Sequence, residues 1–377
     1  MTSIIIIINI MPKKLHKMQS SNQAIRQSNW VAWWLGGLFL ATTGFCEFSA
    51  TTHLIDIPTA YSANTSFSIG VNSSITTKED SYPTDNNAYI EIEVLKRLNI
   101  GLSILTRKVS SLEVKLKAND ETKNMPAIAI GSKYLSPHKW ICPVGVGRNV
   151  GWDDDETYNY KRTPEQFSLF VVATKDMGPY GVYNIGIGNG CFVGYGPRSH
   201  LFNSDMFSGE YHSNAIGLFW GMEILLLPYL FGVFDFDGRD FNVGIKIRND
   251  IFQLGIAASK LEHRLKGALL LYPRFTIGAN VNSLIMKNWL NIPTGSLTVV
   301  VRDAKSGNPE RAVVSFPGTS LPSAKTDKER GTCTIRLPAG TYWVRTGIVG
   351  YHWAEKKVYI SPRMTTICFF EIYSILP

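Results

Sequence analysis

The sequence has few charged residues and few long apolar runs. Asp, Glu, Lys and Arg make up only 18% of the 377 residues, whereas 45% are hydrophobic. This composition excludes a disordered chain, which is rich in charge and poor in apolar side chains. After residue 41, no segment has the ~18 uninterrupted apolar residues of a membrane helix. If that part of the chain enters a membrane, it must therefore do so as a closed β-barrel.

Cysteine clusters and catalytic motifs are also lacking. The five cysteines include no CxxC pair and no metal-ligand spacing, although a bridge between Cys333 and Cys368 stays open. The HxxE string of His352 and Glu355 has no third zinc ligand in view and begins a strand pattern. No Ser/His/Asp set or pair of carboxylates stands out. We therefore expect a protein that is not an enzyme and has no cofactor or bound metal.

The positive charge is spread along the chain. The formal net charge is +8, but the lysines and arginines are scattered at strand ends and loops. There is no basic helix and no stripe of alternating basic and aromatic residues. We expect no nucleic-acid partner, and only a modest attraction to anionic lipid or polysaccharide.

The first fifty residues are typical of an export signal. Residues 30–41 (WVAWWLGGLFLA) have the length of a signal-peptide apolar region and follow basic residues. Cleavage is expected between Gly44 and Ala50, so residues 1–50 are interpreted as signal peptide and N-terminal extension. A lipoprotein anchored at Cys46 is the alternative, which the bulky Phe45 disfavours.

From about residue 65 to 281 the dominant pattern is an alternation with period two, which is typical of strands with two different faces. For example, Val243, Ile245 and Ile247 alternate with polar or small residues. Twelve segments of about ten residues share this pattern, which suits tilted membrane strands. The predicted strands are 65–77, 87–95, 97–107, 111–117, 126–134, 166–174, 180–190, 216–225, 229–237, 241–248, 252–260 and 268–281.

Alternation alone does not separate a membrane barrel from a soluble sandwich. The polar faces are rich in Gly, Ser, Asn and Ala, which suits a crowded or water-filled lumen. The long loops at about 135–165 and 191–215 are connections five and seven, so they lie at the same end of a barrel. We therefore predict an all-β chain whose residues 51–290 form an antiparallel outer-membrane-type β-barrel of about twelve strands.

Charged residues of both signs follow the predicted inner face of this barrel. Buried charges need partners, so we expect salt bridges across the interior or, alternatively, a hydrated channel. These predicted lumen-facing charges are Glu91, Glu93, Glu113, Lys115, Lys117, Lys246 and Arg248.

Three further patterns have plain explanations. The acidic residues 153–156 offer oxygen ligands for Ca²⁺ but lack EF-hand spacing, which favours a solvated loop. The glycines of residues 186–196 lack dinucleotide-binding spacing and are interpreted as small inward-facing residues. Asp235, Asp237 and Asp240 either line the lumen or close a tight hairpin turn, and the turn is the simpler interpretation.

A change of composition near residues 289–295 (WLNIPTG) indicates a linker, and residues 295–377 contain six short strand patterns typical of a β-sandwich. The turns carry Asp303, Gly307 and Pro309, the string TDKERG and the string LPAGTY. This part resembles the carboxypeptidase regulatory-like (PEGA-like) sandwich. The resemblance implies a structural or binding appendage rather than peptidase activity.

The barrel region resembles the YjbH-type exopolysaccharide-associated outer-membrane barrels. The matching strings are LIDIPTA (54–60), PAIAIG (126–131), ATKDMG (173–178), GLFWGMEILLLP (217–228) and FDFDGRDFNVGIK (234–246). The resemblance implies a structural protein, or one linked to export or assembly of surface polysaccharide, in the outer membrane. Its partners would be outer-membrane lipid and polysaccharide or envelope assembly proteins, with the sandwich in the periplasm. The alternative is a soluble secreted carbohydrate-binding or adhesive protein.

Overall fold

The protein is described here by a computed structural model. It covers residues 52–62, 67–76, 84–94, 97–106, 109–135, 168–192, 216–238, 240–249, 251–259, 261, 274–282 and 293–375. The predicted signal peptide, Cys46, Cys142 and the acidic residues 153–156 lie outside these ranges. In the described residues no helix is long and apolar enough to cross a membrane.

Twelve antiparallel strands form a closed barrel in which each strand pairs with its neighbours in sequence. The first and last strands close the ring, with Ile69 opposite Val281. Closure leaves no unpaired sheet edge. The strands are β1 (Phe67–Thr76), β2 (Thr84–Val94), β3 (Leu98–Thr106), β4 (Val109–Asn119), β5 (Ala127–Leu135), β6 (Ser168–Asp176), β7 (Val182–Gly188), β8 (Gly217–Leu227), β9 (Leu230–Phe236), β10 (Phe241–Arg248), β11 (Phe252–Ser259) and β12 (Arg274–Asn282). The predicted fold class is confirmed.

The two ends of the barrel differ in the length of their connections. The longest intervals between strands, residues 136–167 and 189–216, follow β5 and β7, and these two strands end at the same end of the barrel, as predicted. At the opposite end the connections are as short as two residues, between β8 and β9. We call these the long-loop end and the turn end.

The alternating pattern forms strands because it places apolar side chains outside and polar or small side chains inside. On β10, Val243, Ile245 and Ile247 are exposed, whereas Lys246 and Arg248 are buried. The same alternation of buried and exposed positions appears on β6, β7 and β11.

The C-terminal part is a sandwich of two sheets with its own apolar core, which includes Leu297, Val314, Val344 and Phe370. One sheet has the order β16-β13-β19 and the other β15-β14-β17-β18. Their strands are β13 (Thr294–Asp303), β14 (Val313–Ser315), β15 (Ala324–Lys325), β16 (Thr332–Pro338), β17 (Gly340–Gly347), β18 (Ala354–Ile360) and β19 (Thr365–Ile372). The first of these begins inside the predicted linker, and the two-residue β15 was not predicted.

Candidate functional site in the barrel lumen

Residues 52–62 form a tight hairpin inside the barrel, which we call the lumen hairpin. The amide of Leu54 donates to the carbonyl of Ile57 at 3.0 Å, and the amide of Thr59 donates to the carbonyl of Thr52 at 2.8 Å. Leu54, Ile57 and Ala60 are each at most 2% exposed. The barrel is therefore filled by a segment of its own chain.

A buried carboxylate of β9 holds the tip of this hairpin. Oδ2 of Asp235 accepts hydrogen bonds from the amides of Ile55 at 2.7 Å and Asp56 at 2.9 Å, and more weakly from Ile57 at 3.5 Å. Its other oxygen accepts from Nδ2 of Asn242 at 2.8 Å. A single fixed anion thus satisfies amides that a tight turn cannot pair within itself.

Two lysines bind the carbonyl groups of the same tip. Nζ of Lys246 donates to the carbonyl oxygens of His53 at 2.8 Å and Leu54 at 2.6 Å, and Nζ of Lys133 donates to that of Asp56 at 3.1 Å. Lys246 is fully buried. The lumen therefore presents an anion to the amides and cations to the carbonyls. Charge-assisted hydrogen bonds of this kind are stronger than hydrogen bonds between neutral groups.

The arms of the hairpin contact other strands. Oγ1 of Thr52 donates to Glu91 at 2.5 Å, and Nε2 of His53 lies 3.2 Å from Oε2 of Glu113. The amide of Ala60 donates to Oγ1 of Thr174 at 2.7 Å.

Part of the lumen wall is apolar and packs against the hairpin. Phe192 stacks on Phe219 with ring centroids 4.4 Å apart, and Phe170 meets Phe192 edge to face at 5.7 Å. These rings belong to one buried cluster with Leu54, Ile55 and other hairpin residues.

The predicted lumen-facing charges all lie on the inner face of the barrel. Six are at most 9% exposed, and Glu93 is half-buried. Glu91, Glu113 and Lys246 contact the lumen hairpin.

The other four predicted charges lie apart from the hairpin tip. Arg248 pairs with Glu223, and Lys117 lies 2.7 Å from Oδ1 of Asp120. Nζ of Lys115 makes no hydrogen bond among the described residues, and the carboxylates whose charges act on it are Glu91, Glu113 and Glu93.

At the turn end, one carboxylate joins the hairpin, the barrel and the sandwich. Glu121, in the turn between β4 and β5, accepts a hydrogen bond from the hydroxyl of Tyr61 and one from the amide of Asp176 at 3.2 Å. Oε1 of the same carboxylate accepts from Nη1 of Arg345 on β17 at 3.1 Å. Glu121 is 2% exposed and Arg345 is 1% exposed.

Arg345 has further contacts on both sides of this junction. Nη1 also donates to the carbonyl of Asp176, and Nη2 donates to Oε2 of Glu355 on β18 at 3.1 Å. The guanidinium lies 5.4 Å from the ring of Trp353, which packs beside Gly178 in the turn between β6 and β7. The sandwich is thus seated on the turn end of the barrel.

Two other motifs from the sequence have structural roles. Glu355 of the HxxE string is one of the ion-pair partners of Arg345. Asp237 accepts a hydrogen bond from the amide of Asp240 at 2.8 Å and so closes the turn between β9 and β10. No group of three or more metal-ligating side chains occurs in the part of the chain that the structure describes.

The lumen hairpin itself was not predicted. It is held largely through backbone amides and carbonyls, which leave no side-chain pattern in the sequence. The available signal was indirect: Asp235 and Lys246 occur on the polar face of neighbouring strands, where a buried charge needs a partner.

These features define a class: a twelve-stranded antiparallel β-barrel filled by its own N-terminal hairpin and seated against a C-terminal sandwich. No family model matches the chain, and no curated protein matches it. Among solved structures, the Bacillus anthracis TIE protein is similar over 55% of this chain and 37% of its own length, with 15% identity and a TM-score of 0.20. The match spans little more than a third of that protein, and a likeness this weak supports no conclusion about this chain.

Proposed function

We propose that the protein is a non-enzymatic outer-membrane β-barrel. The supporting observation is the apolar outer surface. Ile245, Ile256 and Ile277 face one another across β10, β11 and β12, and each is at least half exposed. A soluble protein rarely exposes so large a continuous apolar surface to water, whereas in a membrane the hydrocarbon chains of lipid cover such a surface.

The apolar band extends to other strands around the ring. Outward side chains that are at least 38% exposed include Ile92, Leu102, Leu116, Ile130, Leu169, Ile185 and Phe275. They come from β2, β3, β4, β5, β6, β7 and β12. The band therefore surrounds the barrel rather than marking one docking face.

In this proposal the barrel is structural or serves the export or assembly of surface polysaccharide, as in the YjbH-type barrels that it resembles. Two of the resembling strings contact each other: LIDIPTA forms the lumen hairpin, and FDFDGRDFNVGIK carries its anchors Asp235 and Lys246. A motif whose members meet in the folded chain is stronger support than separate short matches.

The turn end would face the periplasm, because both ends of an even-stranded barrel lie on that side and its turns there are short. The sandwich, a PEGA-like appendage in this proposal, is seated on that end and would be periplasmic. Its partners would be envelope assembly proteins or polysaccharide, and outer-membrane lipid would surround the barrel.

Membrane fractionation together with heat-modifiability on a denaturing gel tests the proposal. The mature protein is expected in the outer-membrane fraction, and the unheated sample should migrate faster than the boiled one. Ile256→Lys should destabilise the barrel in lipid by roughly 2–4 kcal/mol if residue 256 lies near the bilayer midplane. The matched control is Thr334→Lys, at an exposed position of the sandwich. A soluble protein without a gel shift would contradict the proposal.

The second candidate is a soluble secreted carbohydrate-binding or adhesive protein. The observation that favours it is the pair of exposed aromatic side chains on the outer face of β17 and β18, Trp343 and Tyr359, which are 41% and 60% exposed. Aromatic side chains of this kind combine an apolar face with a polar group and are enriched at binding surfaces. Retention on a polysaccharide column that is lost in Trp343→Ala, with a soluble wild-type protein, would favour this candidate.

A further inference from the structure

The lumen hairpin is inserted into the barrel from the turn end. Its tip contacts Asp235 and Lys133, which lie toward the long-loop ends of β9 and β5. Its second arm reaches Tyr61 at the turn end, beside Glu121. The hairpin therefore leaves the lumen most directly by moving back toward the turn end.

The sandwich lies across that path. Ser62, the last residue of the lumen hairpin, forms a parallel bridge with Thr319 of the sandwich, and the amide of Ser320 donates to the carbonyl of Ser62 at 3.2 Å. A small cavity at this junction is lined by residues of the hairpin, the barrel and the sandwich, among them His53, Tyr61, Arg248, Phe316, Ser320 and Leu321.

Three segments at the turn end of the barrel hold the sandwich in place. Arg345 binds Glu121 and the carbonyl of Asp176, and Nζ of Lys325 donates to the carbonyl of Leu226 at 2.9 Å. Glu121 binds Tyr61 and Arg345 together, so the hairpin and the sandwich share one buried carboxylate. Loss of either partner leaves that carboxylate with less compensation for its burial, which couples the two contacts energetically.

We propose that the C-terminal sandwich is a latch: it holds the lumen hairpin in the barrel through Arg345 and Glu121, and its withdrawal from the turn end lets the hairpin leave and opens the lumen. The surface that opening exposes carries charges of both signs, including Glu91, Glu113 and Lys246. Such a lining suits hydrated polar solutes rather than apolar ones. The proposal has two halves. The holding half, that the sandwich keeps the hairpin in the barrel, does not depend on a membrane location. The opening half, that withdrawal of the sandwich opens the lumen, rests on the proposed membrane location.

Hydrogen–deuterium exchange of the full chain in detergent tests the holding half. In Arg345→Ala, exchange in peptides spanning residues 52–62 should be at least roughly tenfold faster, because one charged hydrogen bond contributes about that factor. The matched control is Arg302→Ala, which removes an exposed arginine that donates to the carbonyl of Gly307 within the sandwich. Unchanged exchange in Arg345→Ala would overturn the latch.

Arg345 also pairs with Glu355 inside the sandwich, so a second variant is needed to separate loss of the junction from unfolding of that domain. The conservative variant Tyr61→Phe removes only the hydroxyl that binds Glu121. Combining it with Arg345→Ala completes a double-mutant cycle. Coupled contacts predict that the effects of the two changes on hairpin exchange are non-additive. Additive effects would overturn the shared role of Glu121.

Conductance in planar bilayers tests the opening half. Deletion of residues 53–59 should give steady ion channels, wild-type protein should be closed, and Arg345→Ala should open intermittently. A closed deletion variant would show that the hairpin is not the barrier and would overturn this half. Faster exchange without conductance in Arg345→Ala, beside a conducting deletion variant, would show that the sandwich restrains the hairpin without gating the lumen.

Discussion

Gly186 lies directly beneath the aromatic ring of Phe219 on the inner wall of the barrel. A Cβ at position 186 would overlap that ring and stand 2.6 Å from the carbonyl oxygen of Val171. Gly188 and Phe192 are related in the same way. The glycines that alternate along β7 thus let phenylalanine rings lie flat against the wall and fill the lumen beside the hairpin.

Gly186→Ala is expected to destabilise the barrel by about 1–3 kcal/mol, as overpacking of a filled interior does. Urea unfolding in detergent, followed by tryptophan fluorescence, measures the change. The matched control is Gly232→Ala on the outer face, where the nearest atom to the added methyl is a flexible Leu226 side-chain carbon at 3.3 Å. Equal stability of the two variants would show that the packing of the Phe219 ring does not require glycine at position 186.

Asp235→Ala should free the tip of the lumen hairpin, because it leaves the buried amide of Ile55 and the partly buried amide of Asp56 without this acceptor. A buried donor left unsatisfied costs about 1–3 kcal/mol. Limited digestion with a protease that cleaves beside Leu and Ile should then cut within residues 52–62 of the folded protein. Asp120→Ala, which removes an exposed carboxylate at the turn end, is the control and should resist cleavage as the wild type does.

The turn of residues 326–332 in the sandwich depends on pH through Asp327. Hydrogen bonds from the amide of Arg330 and from the hydroxyl of Thr332 lower the pKa of this carboxyl below its usual value of 3.8. Its stabilising effect is therefore fully present above pH 4, roughly the pKa of the unfolded chain, and is lost as pH falls through the lower folded-state pKa.

Asp327→Asn should accordingly lower the thermal unfolding midpoint near neutral pH, and the difference from wild type should vanish in strong acid. Differential scanning calorimetry across this pH range gives the comparison. Glu329→Gln removes an equal charge from an exposed position in the same turn and should show no such pH-dependent difference. A difference that persists in acid would assign the effect to something other than the carboxylate.

Cys333 and Cys368 are free thiols, which settles the bridge that the sequence left open. Cys333 on β16 and Cys368 on β19 lie opposite Val299 on the strand between them, β13. Two strand spacings separate their Cα atoms by about 9–10 Å, beyond the ~4.4–6.8 Å of a disulfide.

Alkylation of the unreduced, denatured protein should therefore label both cysteines, as read by peptide mass spectrometry. In the folded protein the same reagent should react slowly with Cys333, because burial raises the pKa of its thiol to about 12. A peptide pair linked through Cys333 and Cys368 would contradict this prediction.

The barrel strands were predictable because one inner and one outer face impose an alternation that survives in the sequence. The predicted strand 241–248 and the observed β10 have the same bounds. The alternation predicts that β2 begins at residue 87, whereas it begins at Thr84, because its first four residues (TDNN) are all polar and show no contrast between faces.

The inward direction of the lumen charges follows from the same alternation, but their partners do not. Lys246 binds carbonyl oxygens of residues that lie 193 and 192 positions away, and any residue supplies such an oxygen. The junction of Arg345 with Glu121 spans 224 positions and depends on how two domains are seated. Contacts of this kind require the three-dimensional fold.

The hairpin also bears on how the barrel is assembled. Its anchors Glu91, Lys133, Asp235 and Lys246 come from four strands, and they converge only when all four are paired in their native register. Because side chains alternate between faces, a slip of one residue in β9 would turn Asp235 outward and leave the tip amides unpaired. The contacts of the hairpin thus require the native register of these four strands, so a segment inside the lumen stabilises the correct pairing of the wall around it.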